Sequence, residues 1–221
     1  MFKKVLIANR GEIAVRIIRA CKEWGIGTVA VHSDVDSDSM HVRLADESVC
    51  IGSHQPQNSY LNISSIMSAV DLTGAEAIHP GYGFLSENAD FASAVQNAGL
   101  IFIGPPVTAI ETMGSKVKAR RLMEISGVPV VPGYNGKKQD YETLYNSALK
   151  IGFPVLIKPS AGGGGRGLQI VQRPQDLEIA IQTAKREARE FFNDSTLIIE
   201  KYLNNPRHIE IQIFADQFGN F

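Results

Sequence analysis

Short apolar segments alternate with segments of helical period through the first hundred residues, and this alternation restricts the chain to a small group of folds. Runs typical of buried strands occupy residues 5–8, 28–31, 48–51, 77–79 and 100–103, and the connections between them are short or helical. Strands joined in this way form a mostly parallel sheet with helices on both faces. The sequence therefore predicts an α/β fold whose N-terminal domain, residues 1–113, is a Rossmann-like parallel sheet.

The first predicted helix, residues 12–24, carries apolar side chains on one stripe. Ile13, Ile17, Cys21 and Trp24 recur at helical spacing, and Gly25 follows them as a helix-ending glycine. We expect this stripe to face the core. Asn62 and Asn88 are expected to cap two later helices.

The connection after the fourth predicted strand, residues 79–88, is unusual because it contains two glycines, a proline and two aromatic residues. Ligands of parallel sheets gather at the carboxyl ends of the strands, so Tyr82 and Phe84 are candidates for a pocket wall. A rigid connection whose aromatic rings cap the core explains the same residues, and the sequence leaves both interpretations open.

A glycine-rich segment between two apolar runs is the strongest functional signal. Lys158 ends the first run, and Arg166 lies inside the glycines that precede the second. A helix does not follow, so the segment is neither a Walker loop nor a dinucleotide fingerprint, and it joins two strands. Backbone N–H groups between two cations suit a polyphosphate, which such a flap can cover. A surface hairpin without a ligand is the alternative.

The C-terminal half differs from the first. Lys116 lies in the first turn of a predicted helix, residues 130–139 form a linker, and a strand spans 197–203. Residues 208–214 alternate between polar and apolar side chains, so His208, Glu210 and Gln212 are expected on one strand face and the isoleucines on the other. These polar groups line a cleft or face solvent.

Composition excludes several classes of function. The 221 residues are 44% hydrophobic with a net charge of -1 and a pI near 6.5, so nucleic-acid and membrane partners are not indicated.

Cys21 and Cys50 lack zinc-ligand spacing. The aspartates at 34–38 fail as a calcium loop, because Ser39 and Ala45 replace the required glycine and glutamate, and we expect them to form a solvated loop. The first apolar run is too short for a signal peptide, and we expect a cytoplasmic protein.

Five motifs together resemble the biotin carboxylase family, the ATP-grasp component of acetyl-CoA, propionyl-CoA and pyruvate carboxylases. The resemblance runs from Phe2 to the last residue. The motifs are Asn9-Arg10-Gly11-Glu12-Ile-Ala, His79-Pro-Gly-Tyr-Gly-Phe-Leu-Ser-Glu-Asn88, the glycines from Gly162 to Gly167, Glu200-Lys-Tyr-Leu203, and Asn205-Pro-Arg-His208-Ile-Glu.

The resemblance implies a reaction and a set of site residues. ATP activates bicarbonate as carboxyphosphate, and the carboxyl group passes to N1′ of biotin on a biotin carboxyl carrier protein. The residues that it assigns to ATP are Lys116 and Lys158 at the phosphates, Gly163, Gly164, Gly165, Arg166 and Gly167 closing over them, Glu200, Lys201, Tyr202 and Leu203 at the adenine edge, and His208 near the ribose or phosphates. It assigns Tyr82 and Gly83 to the biotin ring.

The same resemblance predicts that part of the site is missing. In the family, the magnesium ligands and the groups that act on bicarbonate and biotin follow the region matched by this chain, so we expect an inactive fragment. The implied organisation is a connecting helix and linker at 114–134, a small α+β ATP-grasp lid domain at 135–203, and the start of a truncated antiparallel catalytic domain at 204–221. A carboxyltransferase and a homodimer of the complete protein are also implied.

Two alternative functions remain open. Another ATP-grasp ligase, such as a carbamoyl-phosphate-synthesising or purine-biosynthetic enzyme, shares the acyl-phosphate chemistry, although the string at 79–88 argues against it. A non-catalytic nucleotide-binding module is favoured by the missing metal ligands.

Overall fold

A computed structural model describes residues 2–160, 167–216 and 218–221. The chain divides into two units, Met1–Ala119 and Arg120–Phe221, and each unit contains its own sheet. Helix α6, Lys116–Ile125, includes the point of division.

The first unit is built on a five-stranded sheet in which every neighbouring pair is parallel. The strand order is β3-β2-β1-β4-β5. The predicted α/β fold and parallel sheet are therefore confirmed. The strands are β1 (Lys4–Ile7), β2 (Gly27–Ser33), β3 (Glu47–Gly52), β4 (Ala77–His79) and β5 (Ile101–Phe102).

Helices connect these strands, and their apolar faces cover the sheet. Asn62 and Asn88 cap α3 and α4, because their side-chain oxygens accept hydrogen bonds from the Ser65 and Phe91 N–H groups. The main core includes Leu6, Val29, Ile66, Phe91 and other side chains of the sheet, α3, α4 and α5. The helices are α1 (Gly11–Glu23), α2 (Met40–Leu44), α3 (Ile63–Thr73), α4 (Ala89–Asn97) and α5 (Val107–Met113).

The prediction that the apolar stripe of α1 faces the core is wrong for its last residue, Trp24. The helix buries Ala14, Val15 and Ile18, whereas Trp24 is 72% exposed. Trp24 follows the last helical residue, where the chain turns towards β2, so the helical period no longer determines where its side chain points.

The second unit contains a separate antiparallel sheet in the order β6-β9-β7-β8. Helices α7 (Tyr141–Ile151) and α8 (Leu177–Phe192) pack on one face, where Leu144, Ile157, Ile181 and Ile199 belong to one buried cluster. The strands are β6 (Gly133–Tyr134), β7 (Val155–Pro159), β8 (Gln169–Val171) and β9 (Leu197–Lys201).

The structure corrects two predictions in this unit. The predicted linker contributes β6, which pairs with β9. Residues 208–214 are not a strand, and neither predicted face is buried, since Ile209, Ile211 and Ile213 are 78%, 81% and 70% exposed. In the described part of the chain no segment pairs with these residues, and an extended segment without a ladder partner gains no strand hydrogen bonds.

Candidate functional site

The loops at the carboxyl ends of β1 and β4 are tied together by one buried side chain. Asn9 follows β1 and is 1% exposed. Its Nδ2 donates to the carbonyl oxygens of Pro80 and Tyr82 at 2.8 and 2.9 Å, and its Oδ1 accepts from the Arg10 N–H at 2.9 Å. These strands are neighbours at the point where the strand order reverses, which is where ligands of open α/β sheets bind.

The loop at 79–88 needs glycine next to Tyr82. Gly81 has a φ of +65°, and a Cβ there would lie 2.6 Å from Ile13 Cγ2 and 2.8 Å from Asn9 Nδ2. Gly83 also has a positive φ, of +72°. Glycines on both sides therefore set the backbone that presents Tyr82, which is 57% exposed.

The Tyr82 hydroxyl donates a hydrogen bond to Glu12 Oε1 on α1. This bond to a carboxylate raises the pKa of Tyr82 above its ordinary value. The candidate biotin residues Tyr82 and Gly83 thus lie on an exposed loop whose aromatic hydroxyl is held by a neighbouring helix.

Phe84 has a different role from Tyr82. Its ring stacks on the Tyr60 ring with centroids 5.1 Å apart, and the Arg10 guanidinium carbon lies 5.2 and 5.5 Å from the centroids of the two rings. Phe84 also packs against the main core. The interpretation that an aromatic ring caps the core therefore applies to Phe84, whereas Tyr82 is exposed and its place in a pocket wall stays a prediction.

Asp36 binds the polar groups that surround the Tyr60 and Phe84 rings. The run of aspartates that contains it was expected to be a solvated loop, so this expectation is wrong for Asp36. Its Oδ2 accepts from Tyr60 Oη at 2.7 Å, Ser33 Oγ at 2.8 Å and Arg10 Nη1 at 3.3 Å. Burial opposes ionisation of Asp36, but these hydrogen bonds outweigh it and lower the pKa. Burial and the Asp36 carboxylate raise the pKa of Tyr60.

In the second unit, Lys158 and Glu200 form the centre of the candidate phosphate site. Strand β7 carries Lys158 and pairs antiparallel with β9, which carries Glu200. Lys158 Nζ lies 2.5 Å from Glu200 Oε2, and the two side chains are 23% and 18% exposed. Since β7 and β8 are also antiparallel neighbours, the glycine-rich segment joins two strands, as predicted.

Arg120 is the second cation on Glu200. Its Nη1 lies 3.4 Å from Glu200 Oε1, its Nη2 donates to the Val131 carbonyl oxygen at 2.5 Å, and its Nε lies 3.0 Å from Glu124 Oε1. The Arg120 side chain is only 10% exposed. Sequence analysis missed this residue, because nothing local distinguishes Arg120 from the adjacent Arg121, which is exposed.

The segment after Glu200 is fixed through its backbone and the Lys201 side chain. The N–H groups of Lys201 and Tyr202 donate to the carbonyl oxygens of Pro132 and Pro154 at 2.8 and 3.0 Å. Lys201 Nζ donates to the Gly152 and Phe153 carbonyl oxygens at 3.0 and 2.8 Å. Lys201 is therefore not a free cation.

The other candidate residues are less closely grouped. Lys116 begins α6, as predicted. Gly167 has a φ of +72°, and a Cβ there would lie 2.8 Å from Pro159 Cγ, so glycine is required. His208 pairs with Glu210 at 2.8 Å, and both side chains are more than 80% exposed. Gly163, Gly164, Gly165 and Arg166 lie outside the described residues.

The described ranges lack two features that would indicate a metal ion or a membrane. No three His, Cys, Asp or Glu side chains there are grouped so that they could hold a metal ion. None of the helices there is both long and apolar enough to cross a membrane.

Two family models match the chain. Residues 1–110 match the biotin carboxylase N-terminal domain, and residues 115–221 match the ATP-binding domain of the carbamoyl-phosphate synthase large chain. The fold and these matches define a class of protein in which a carboxylase N-terminal domain precedes an ATP-binding domain. Because residues 1–110 match a biotin carboxylase domain, a carbamoyl-phosphate-synthesising enzyme is not favoured.

Proteins with similar sequences show which family within this class the chain belongs to. Biotin carboxylase of Haemophilus influenzae is 55% identical over 221 residues, which is 100% of this chain and 49% of the relative. The α subunit of mitochondrial methylcrotonoyl-CoA carboxylase of Oryza sativa subsp. japonica is 56% identical over 218 residues, which is 99% of this chain and 30% of the relative. The chain belongs to the biotin carboxylase family, and it spans about half or less of the length of these relatives.

A solved structure supports the same conclusion. It is the biotin carboxylase domain dimer of Hydrogenobacter thermophilus 2-oxoglutarate carboxylase in complex with the magnesium salt of adenosine 5′-diphosphate, adenosine 5′-diphosphate and bicarbonate. The similarity has a TM-score of 0.85 and 49% sequence identity, and it covers 93% of this chain and 45% of that chain.

Proposed function

We propose that this chain carries the nucleotide-binding part of a biotin carboxylase, which uses ATP to activate bicarbonate as carboxyphosphate and carboxylates biotin on a carrier protein. One observation carries the proposal beyond family membership. Lys158 and Glu200 meet on adjacent strands, one of which leads into the glycine-rich segment and the other into residues 201–203. A phosphate candidate and an adenine candidate are thus neighbours in one sheet.

The phosphates are bound by cations and backbone N–H groups in this proposal. Lys116 and Lys158 contact the phosphate oxygens, while Gly163, Gly164, Gly165, Arg166 and Gly167 close over them. Positive charge stabilises the charge that develops as the γ-phosphoryl group moves to bicarbonate. Closure over the site also excludes water, which protects carboxyphosphate from hydrolysis.

The adenine edge is read by the backbone of residues 201–203. An amide donor suits the adenine N1 acceptor, and a carbonyl oxygen suits the N6 amino group. The Lys201 N–H and the Tyr202 N–H already donate to the Pro132 and Pro154 carbonyl oxygens. We therefore assign the acceptor to the Lys201 carbonyl oxygen and the donor to the Leu203 N–H, while the Glu200 side chain remains with its cations. His208 contacts the ribose or phosphates.

Biotin is placed at the exposed loop of the first unit. Tyr82 and Gly83 contact the biotin ring, and the hydrogen bond from Tyr82 to Glu12 limits the rotation of the tyrosine ring. The phenol thereby loses less conformational freedom when biotin binds.

Partners and organisation follow from the family. We propose a biotin carboxyl carrier protein or domain, a carboxyltransferase, bicarbonate and a homodimer, which the dimeric Hydrogenobacter structure supports. Magnesium accompanies ATP in this proposal, and no step is assigned to it. The proposed domains are 1–113, a connection at 114–134, an ATP-grasp lid at 135–203 and the start of a catalytic domain at 204–221. A cytoplasmic location is also proposed, although the similar rice protein is mitochondrial.

Nucleotide binding tests the proposal. We expect isothermal titration calorimetry to detect ATP binding by the 221-residue chain, and Lys158→Ala or Lys116→Ala to weaken it by about tenfold or more, because each removes a charge-assisted contact. Lys150→Ala is the control, since Lys150 is an exposed residue of α7. Equal affinity in the parent and both variants would leave the phosphate assignment without support.

A further inference from the structure

The side chains of Lys158, Glu200 and Arg120 meet at one face of the antiparallel sheet. Lys158 and Glu200 lie on β7 and β9, and Arg120 extends from α6. Val155 and Ile157 point into the core beneath α7 and α8, so strand alternation places Lys158 on the opposite face. Glu200 pairs directly with Leu156 and is therefore the diagonal neighbour of Lys158 on that face. Arg120 reaches the free side of the same carboxylate.

The Arg120 guanidinium is fixed before any ligand arrives. Three of its nitrogens have partners, namely the Val131 carbonyl oxygen, Glu124 and Glu200. The backbone also makes room for it. A Cβ on Gly133 would lie 2.9 Å from Glu200 Cγ and 3.2 Å from Arg120 Nη1, so a larger residue at this position would displace the pair.

The charges around Glu200 do not cancel. Its carboxylate contacts two cations through different oxygens, Lys158 through Oε2 and Arg120 through Oε1. These three groups carry a net charge of about +1. Glu124, the other carboxylate on Arg120, is 45% exposed, so water screens its charge far more than that of Glu200, which is 18% exposed.

We propose that Arg120 is a positioning residue for the nucleotide phosphates and acts through Glu200. By occupying Oε1, Arg120 prevents Glu200 from neutralising Lys158 completely, so positive charge remains available for a polyphosphate. Without Arg120, Glu200 and Lys158 form an isolated pair with no net charge, and a phosphate must compete with the carboxylate for the ammonium group. This inference rests on the proposed ATP function.

A purely structural role for Arg120 predicts a different result. The side chain joins α6 to the Val131 carbonyl oxygen and to β9, and loss of these bonds alone would weaken the binding of every nucleotide alike. An electrostatic role acts on phosphate charge, so it weakens ATP binding more than ADP binding, and ADP binding more than AMP binding. The ratio of ATP to AMP affinity therefore separates the two roles.

The experiment measures binding of ATP, ADP and AMP to the full chain by calorimetry. We expect Arg120→Met to lower ATP affinity about tenfold and AMP affinity less than about twofold. Arg120→Lys keeps the charge and should restore most of the ATP affinity. The double variant Arg120→Met with Glu200→Gln restores the net charge of +1 and should also recover ATP binding. Arg121→Met is the control, because it removes the neighbouring exposed arginine.

Each outcome has a defined consequence. Selective loss of ATP affinity, with recovery in the double variant, supports the inference. Equal losses for ATP and AMP, or no recovery, overturn it while leaving the proposed function intact. A parent chain that binds no ATP overturns both. If Arg120→Met does not fold, the single variant Glu200→Gln tests the inference in its place. This variant keeps both cations and should raise the ratio of ATP to AMP affinity. A lower ratio overturns the inference.

Discussion

Replacement of Asn9 by alanine tests whether the loop at 79–88 depends on one buried amide. The change removes two hydrogen bonds to carbonyl oxygens and one from the Arg10 N–H. Pro80 is buried, so its unpaired carbonyl group should cost about 1–3 kcal/mol. The carbonyl group of Tyr82 is closer to water and adds about 1 kcal/mol. We therefore expect the first unit to lose about 2–4 kcal/mol of unfolding free energy.

Hydrogen exchange followed by mass spectrometry measures this loss separately for the first unit. A decrease of about 2–4 kcal/mol corresponds to exchange about 30- to 900-fold faster in peptides that cover β1 and β4. The control is Asn97→Ala at the exposed end of α4, which should change the exchange rate less than about threefold. Unchanged exchange in β1, β4 and the loop of the Asn9 variant would refute the assigned role of this side chain.

Two further predictions concern stability. Burial lowers the pKa of His79, so the unfolded chain binds more protons than the native chain below about pH 6.5, and stability falls as pH decreases through this range. His79→Asn should reduce the loss of unfolding free energy between pH 7.5 and 5.5, measured by urea denaturation at each pH, and an unchanged loss would contradict this effect of burial. Asn88→Ala should cost about 1 kcal/mol in urea denaturation, and an equal cost for Ser39→Ala, which removes no capping bond, would contradict this.

Local features explain what the sequence predicted correctly. The strands and helices of the first unit follow from apolar periodicity, and Asn62 and Asn88 cap the helices that they precede. The antiparallel pairing of β7 and β8 follows from two apolar runs joined by glycines. Each of these predictions depends on residues close in sequence, where hydrogen-bond and packing preferences act without knowledge of the tertiary fold.

The errors arose where a distant partner decides the structure. The alternation at 208–214 is suitable for a strand, but a strand forms only when another segment completes its ladder. Conversely, the pair Gly133 and Tyr134 is too short to indicate a strand from sequence, and it joins the sheet because β9 is available. Asp36 looked like part of a solvated acidic run, yet Tyr60 and Arg10 reach it from elsewhere in the chain.

The same distinction governs the candidate nucleotide site. Motif resemblance assigned Lys158 and Glu200 separately, one to phosphate and the other to adenine, because a motif describes positions and not the pairing between them. The register of β7 and β9 places their charges in contact. A carboxylate beside a phosphate-binding lysine reduces the attraction for an anion unless another cation shares it. In our proposal Arg120 supplies that cation, so we expect the affinity of Lys158 for a phosphate to depend on a helix residue 80 positions before Glu200.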